Sequence, residues 1–138
     1  MFQRKPKKHN QLENTMELRE LTRAEEEVMQ ILWNREPAFV KDILEEFPEP
    51  RPAYNTVSTI VRILEQKGFI GHKAYGKTHE YYSLVSKEEY KSFATGKLME
   101  GYFENSVEEM FSFFVREKKI DVKEADEILK LIEKMKKH

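Results

Sequence analysis

The stretch from Pro52 to Leu84, PAYNTVSTIVRILEQKGFIGHKAYGKTHEYYSL, constrains the fold more than any other part of this chain. Val57, Ile60, Val61 and Leu64 recur at the i, i+3, i+4, i+7 spacing of one helical face. Gly68 follows as a stop, since glycine adopts the left-handed backbone that closes a helix without steric cost. Two strand-like runs come next, near Phe69–Tyr75 and Thr78–Val85, joined by the dipeptide Gly76-Lys77. A helix, a tight stop and a two-stranded hairpin are therefore predicted in direct succession.

The polar face of this helix is unusual. It carries Asn55, Ser58, Thr59, Arg62 and Gln66, with Thr56 on the flank. Glu and Lys would build a better solvated helix, because Ser, Thr and Asn compete with the backbone for hydrogen bonds. Hydroxyl, amide and guanidinium groups do, however, suit base edges and phosphates in a major groove. From Arg51 to His79 the basic residues are Arg51, Arg62, Lys67, Lys73 and Lys77, and the only acid is Glu65. That local positive excess sits in a chain whose formal net charge is −1. One basic stripe on a near-neutral protein fits a domain that meets phosphates on one side. Helix, stop and basic-tipped hairpin are the order of a winged helix-turn-helix. A solvated helix face, or a winged helix that serves only as a protein adaptor, remains an alternative reading of the same pattern.

The flanking segments fit a winged helix. Four helix starts carry the capping-box spacing: Thr22 with Glu25, Ser86 with Glu89, Ser106 with Glu109, and Asp121 with Glu124. The first helix is expected near Arg23–Asn34, burying Ala24, Val28, Ile31, Leu32 and Trp33. A second is expected near Val40–Phe47, offering Val40, Ile43, Leu44 and Phe47 to the core. Pro48, Pro50 and Pro52 then interrupt helix, and Pro52 suits the first turn of the third helix. Three divisions result: a basic arm over residues 1–20 that includes Arg4, Lys5, Lys7 and Lys8, a winged helix over 21–85, and a helical region over 86–138. The expected fold class is mainly α with a small β-hairpin wing.

The last region reads as three helices, near Lys87–Phe103, Val107–Arg116 and Val122–Lys137. The first presents Tyr90, Phe93, Ala94, Leu98 and Tyr102, and the last presents Ala125, Ile128, Leu129, Ile132 and Met135. Helices this short cannot bury all of their aromatics among themselves. Either they pack back on the first domain or they form a homodimer interface, which contiguous apolar patches usually mark. The second reading is preferred, with Met110, Phe111, Phe114, Ile128, Leu129 and Ile132 as the seam. Two-fold pairing is also what a reader of palindromic half-sites needs.

Composition excludes several classes. There is no cysteine in 138 residues, which removes disulfides, thiolate metal sites and a cysteine nucleophile, and is compatible with a cytoplasmic setting. No apolar run reaches the length of a membrane span, so no membrane insertion is expected. His72 and His79 flank the hairpin turn, but no ligand set completes a metal site around them. No phosphate-binding glycine loop or nucleophile constellation occurs. The chain is expected to be non-enzymatic, without metal or cofactor.

Three pieces of this sequence resemble the penicillinase and methicillin-resistance repressors (the BlaI/MecI/CopY family). They are LTRAEEEVMQILW at the first helix, NTVSTIVRILEQKGFI through the third, and EYYSLV at the end of the wing. The resemblance runs from Leu21 to the C-terminus. It implies a homodimeric transcriptional repressor whose paired winged helices sit on an inverted-repeat operator in double-stranded DNA. It also implies that Thr56 and Thr59 read bases, among a candidate DNA-contact set of Tyr54, Asn55, Thr56, Ser58, Thr59, Arg62, Lys73 and Lys77. A basic residue that some members carry falls at Ser58 here. The cysteine cluster of copper-responsive members has no counterpart, which disfavours copper sensing. Antibiotic-responsive members are cut in the first dimerisation helix by a membrane-bound metalloprotease sensor, and the matching pair here is Phe113-Phe114. Two rivals stay open: a regulator binding a small aromatic in the Phe-rich region, and a protein-interaction adaptor.

Overall fold

A computed structural model describes residues 18–136. Most of the expected basic arm, and His9, Lys137 and His138, lie outside the described residues. The elements run α1 (Arg23–Asn34), β1 (Ala38–Phe39), α2 (Val40–Glu45), α3 (Tyr54–Gln66), β2 (Ile70–Tyr75), β3 (Thr78–Ser83), α4 (Lys87–Phe103), α5 (Val107–Arg116) and α6 (Val122–Lys136). The chain divides into two compact units between Ala94 and Thr95. The sequence alone put the change of character at Ser86, before α4 rather than within it.

α1 starts on a complete capping box: Thr22 Oγ1 accepts the Glu25 N–H at 3.2 Å, and Glu25 Oε1 accepts the Thr22 N–H at 2.9 Å. Its buried stripe is Glu25, Val28, Met29 and Leu32. The expected stripe was rotated from this one. Ala24 is exposed, Ile31 and Trp33 are half-buried, and Met29 is fully enclosed. The reason is that a carboxylate occupies a place where periodicity looks for an apolar side chain. Trp33 spends its indole N–H on the Val85 carbonyl at 2.9 Å, tying the helix to the end of the wing.

α2 is shorter than expected and ends at Glu45, with Phe47 held by a turn onto the Leu44 carbonyl. α3 begins at Tyr54 with Ala53 as its N-cap, so Pro52 precedes the cap rather than entering the first turn. Val57, Val61 and Leu64 of α3 are fully buried. The helix closes through Gly68 at φ +85°, with the Gly68 N–H on the Glu65 carbonyl and the Phe69 N–H on the Leu64 carbonyl. This paired closure is the Schellman stop. It turns Phe69 into the core, and the Phe69 carbonyl then accepts from Leu84 and Val85.

The hairpin pairs Tyr75 with Thr78 across Gly76-Lys77, Gly76 lying at φ +63°. A two-residue turn needs that positive φ to match the twist of the strands. β1 adds to the open side of β3, giving an antiparallel sheet ordered β1-β3-β2, a strand the sequence reading did not contain. Glu36 accepts from the Ser83 N–H at 2.6 Å and its hydroxyl at 2.9 Å beside that pairing. The first part of α4 completes the core: Tyr90 is buried against Phe69 and Trp33, Phe93 and Ala94 pack on the same cluster, and the Tyr90 hydroxyl accepts the Leu21 N–H at 2.9 Å.

In the second unit Phe103, Phe113 and Phe114 gather with ring centroids 5.7–6.4 Å apart, and Met99 is buried. α5 and α6 carry no buried residue. The capping box at Asp121 and Glu124 closes both ways, whereas Ser106 caps Glu109 but sends its own N–H to the Phe103 carbonyl. α5 ends on a Schellman closure with Lys118, not glycine, at φ +61°.

Candidate nucleic-acid interface

α3 turns Val57, Val61 and Leu64 inward, so the rest of its surface is set by geometry. Tyr54, Asn55, Thr56, Thr59 and Arg62 are exposed, and Ser58 is half-buried. The Arg62 guanidinium lies 3.5 Å from the Thr59 hydroxyl, at the edge of hydrogen-bond range, leaving its other donors free to face outward. On the wing, Lys73 and Lys77 are exposed, and the Lys73 ammonium sits 5.4 Å from the centre of the Tyr75 ring.

A groove of about 600 Å³ runs between α3, the wing and the start of α2. It brings Tyr54, Ser58 and Arg62 together with Lys77. Asn55, Thr56 and Thr59 lie outside it on the free face of the helix, and Lys73 stands apart on β2. Among the groove residues outside the candidate contact set are Lys41 and His79. Lys41 carried no signal at all, because its place beside α3 depends on the turn through Pro48–Pro52.

The two histidines of the wing are stacked, ring centroids 3.9 Å apart and planes within 7°. His72 Nδ1 also lies 2.6 Å from Glu65 Oε2 on α3. Tyr81 packs on both imidazoles, and burial, reinforced by the Glu65 carboxylate, pushes its hydroxyl above the usual phenol range. Tyr82, exposed on the other face, lies over Gly71, where an added Cβ would stand 3.0 Å from the Tyr82 hydroxyl oxygen. Tyr81 is thus part of the core, whereas Tyr82 covers Gly71 and is otherwise exposed. Among the described residues no group of three or more His, Cys, Asp or Glu side chains converges as a metal site, and no helix is long and apolar enough to cross a membrane.

The far end of α3 is held by Lys67, whose ammonium lies 2.8 Å from Glu25 Oε1. Burial raises the Glu25 carboxyl, but the hydrogen bonds from Lys67 and from the Thr22 N–H outweigh it and hold the group below the usual carboxylate range. The carboxylate stays charged and α3 stays clamped to α1.

Of the candidate seam residues, Met110, Phe111, Phe114 and Ile128 are half-buried, while Leu129 and Ile132 are exposed. Tyr102, Val122 and Met135 are also largely exposed in this unit. A hollow of about 430 Å³ is lined by Leu98, Tyr102, Phe103, Phe113 and Phe114, with Glu109 and Arg116 at its rim. The Phe113-Phe114 bond lies within the hydrogen-bonded second half of α5.

Comparison with known proteins finds relatives of this chain. The family model described as penicillinase repressor matches residues 21–134. The methicillin resistance regulatory protein MecI of Mammaliicoccus sciuri is 28% identical over 116 residues, spanning 83% of this chain and 94% of the relative. MecI of Staphylococcus aureus strain N315 matches with the same identity and coverage. The solution structure of the DNA binding domain of the repressor BlaI aligns with 51% of this chain and 88% of its own length, at 22% identity and a TM-score of 0.46. Because the family model spans most of the sequence, from the residue before the α1 cap into α6, this chain belongs to the penicillinase repressor family.

Proposed function

We propose that this chain, a DNA-binding repressor by its family, binds an inverted-repeat operator as a homodimer, laying α3 in the major groove and the wing along the adjacent backbone. The observation that carries the reading is the free face of α3. Thr56 and Thr59 are exposed on a helix whose opposite face is locked in the core, Arg62 lies beside Thr59, and Lys77 shares the adjoining groove with Arg62. Threonine suits such a place, since its hydroxyl bonds a base edge while its methyl meets thymine. Tyr54, Asn55, Ser58 and Lys73 complete the contact set. Titrating the full chain with a duplex selected from a random-sequence pool, and with a mixed-sequence duplex at the same salt, tests the reading. Equal affinity for both, or binding to neither, would overturn it.

The dimer seam is assigned to Met110, Phe111, Phe114, Ile128, Leu129 and Ile132. Two amphipathic helices without a single buried residue support that assignment, because burying such faces is what stabilises short helices. Release from DNA is assigned to cleavage at Phe113-Phe114 by a membrane-bound metalloprotease sensor. Mass spectrometry of the chain after co-expression with such a protease would show the fragment ending at Phe113, and an intact bond would remove this route. The aromatic hollow in the second unit favours one second reading, release by a small aromatic ligand. Ligand-dependent loss of DNA binding by the purified, uncleaved protein separates the two.

A further inference from the structure

Among the described residues, the only side-chain hydrogen bond between α3 and the hairpin is that of His72 Nδ1 with Glu65 Oε2. A carboxylate only accepts, so Nδ1 carries the proton, in the neutral ring or in the imidazolium. The His79 ring lies flat on His72 at 3.9 Å. Two imidazolium charges at that separation repel each other strongly, so the stack holds one proton charge comfortably and not two.

The two rings have different neighbours. Across the groove His79 meets Lys41 from α2, Arg62 from α3 and Lys77 from the turn. The one carboxylate on that groove, Glu65, is bonded to His72. Tyr54 and the buried Tyr81 are uncharged at neutral pH. The cations thus stand on the His79 side of the stack, and Glu65 on the His72 side.

We propose that Glu65 and His72 are positioning residues for DNA binding, forming a proton-strengthened tether that sets the wing against the reader helix, with His79 as the flat plate that holds the His72 ring in line. The tether rests on the DNA-binding reading for its consequence, but not for its existence. Protonation of His72 turns a neutral hydrogen bond into a charge-assisted one, which is the stronger kind. Imidazole is the side chain that changes charge between about pH 5 and 8. A firmer tether and one added positive charge beside the groove both act in the same direction. DNA affinity therefore rises as pH falls from about 8 to about 6.

The test uses the full chain and the duplex selected on the wild-type protein, titrated at constant ionic strength across that pH range. Wild type gains about fivefold in affinity on acidification. His72→Gln and Glu65→Gln lose this pH dependence, while His79→Phe, which keeps a flat ring in the stack, retains it. A His72→Gln profile that parallels wild type overturns the proposal, and so does a profile abolished by His79→Phe alone. Imidazole 15N spectra of the DNA-free protein read the tether separately. Nδ1 of His72 is protonated in wild type, and a ring protonated only at Nε2 overturns the tether even if DNA binds. Failure to bind DNA at any pH, with Nδ1 protonated, overturns the repressor reading instead.

Discussion

Lys67 Nζ and Glu25 Oε1 meet at 2.8 Å across 42 residues of sequence, and the same oxygen accepts the Thr22 N–H. One carboxylate therefore caps the start of α1 and anchors the end of α3. The Glu25 side chain is 7% exposed and that of Lys67 19%, so the pair is only slightly screened by water. The C-terminal end of α3 is held by this clamp and by the Schellman turn at Gly68 beside it.

Removing Lys67 leaves a buried carboxylate with one donor fewer. Lys67→Met is expected to cost about 2 kcal/mol of stability at neutral pH. The pH dependence follows from the sign of the Glu25 shift. A carboxyl held lower in the folded state contributes stability above its ordinary range and loses it as pH falls through the folded value. Thermal melts of wild type should thus fall on acidification from about pH 5 to 3, and Lys67→Met should show a shallower fall. Parallel profiles would mean the clamp carries no charge energy.

Thr59 is exposed and supports no core contact. Thr59→Ala should leave the melting temperature unchanged, weaken the selected duplex by roughly 1–3 kcal/mol and relax preference at one base position. Binding-site selection with the variant reads this out directly. An unaltered site preference would place base reading elsewhere on α3.

Lys77 occupies the second position of the hairpin turn, exposed at the mouth of the groove. Lys77→Ala should weaken selected and mixed-sequence duplexes alike and lower the salt slope of binding by about one unit. A loss confined to the selected duplex, with the slope unchanged, would make Lys77 a base reader.

A chain ending at Phe113 lacks the last three residues of α5 and all of α6, yet keeps the whole core of the first unit. It should sediment as a monomer, retain the winged helix and bind the full inverted repeat at least about tenfold more weakly, a loss of about 1.4 kcal/mol of linkage. A truncated chain that remains dimeric and binds as tightly would move the seam out of α5 and α6.

Features with a local cause were legible in the residues themselves. Thr22 with Glu25 and Asp121 with Glu124 form their capping boxes because donor and acceptor lie three residues apart on one turn. Gly68 stops α3 and Gly76 turns the hairpin because the backbone there needs positive φ. Even so, Lys118 takes the same left-handed place at the end of α5 with no glycine to announce it, since the paired closing hydrogen bonds hold it there. The free face of α3 was legible too, as the complement of an apolar stripe.

What periodicity could not supply were the partners brought from afar. Glu25 was legible as the capping partner of Thr22 but not as the partner of Lys67, and the buried stripe of α1 runs through Met29 rather than the expected Ala24. β1 is two residues long and exists only because β3 offers it an open edge. Lys41 reached the groove, and Glu65 reached His72, through contacts between elements. Local sequence determines which way a backbone turns and which face is apolar, because those energies act within one turn of chain. Which charge is buried, and which ring stacks on which, depends on energies between groups that only the folded chain brings within a few ångströms.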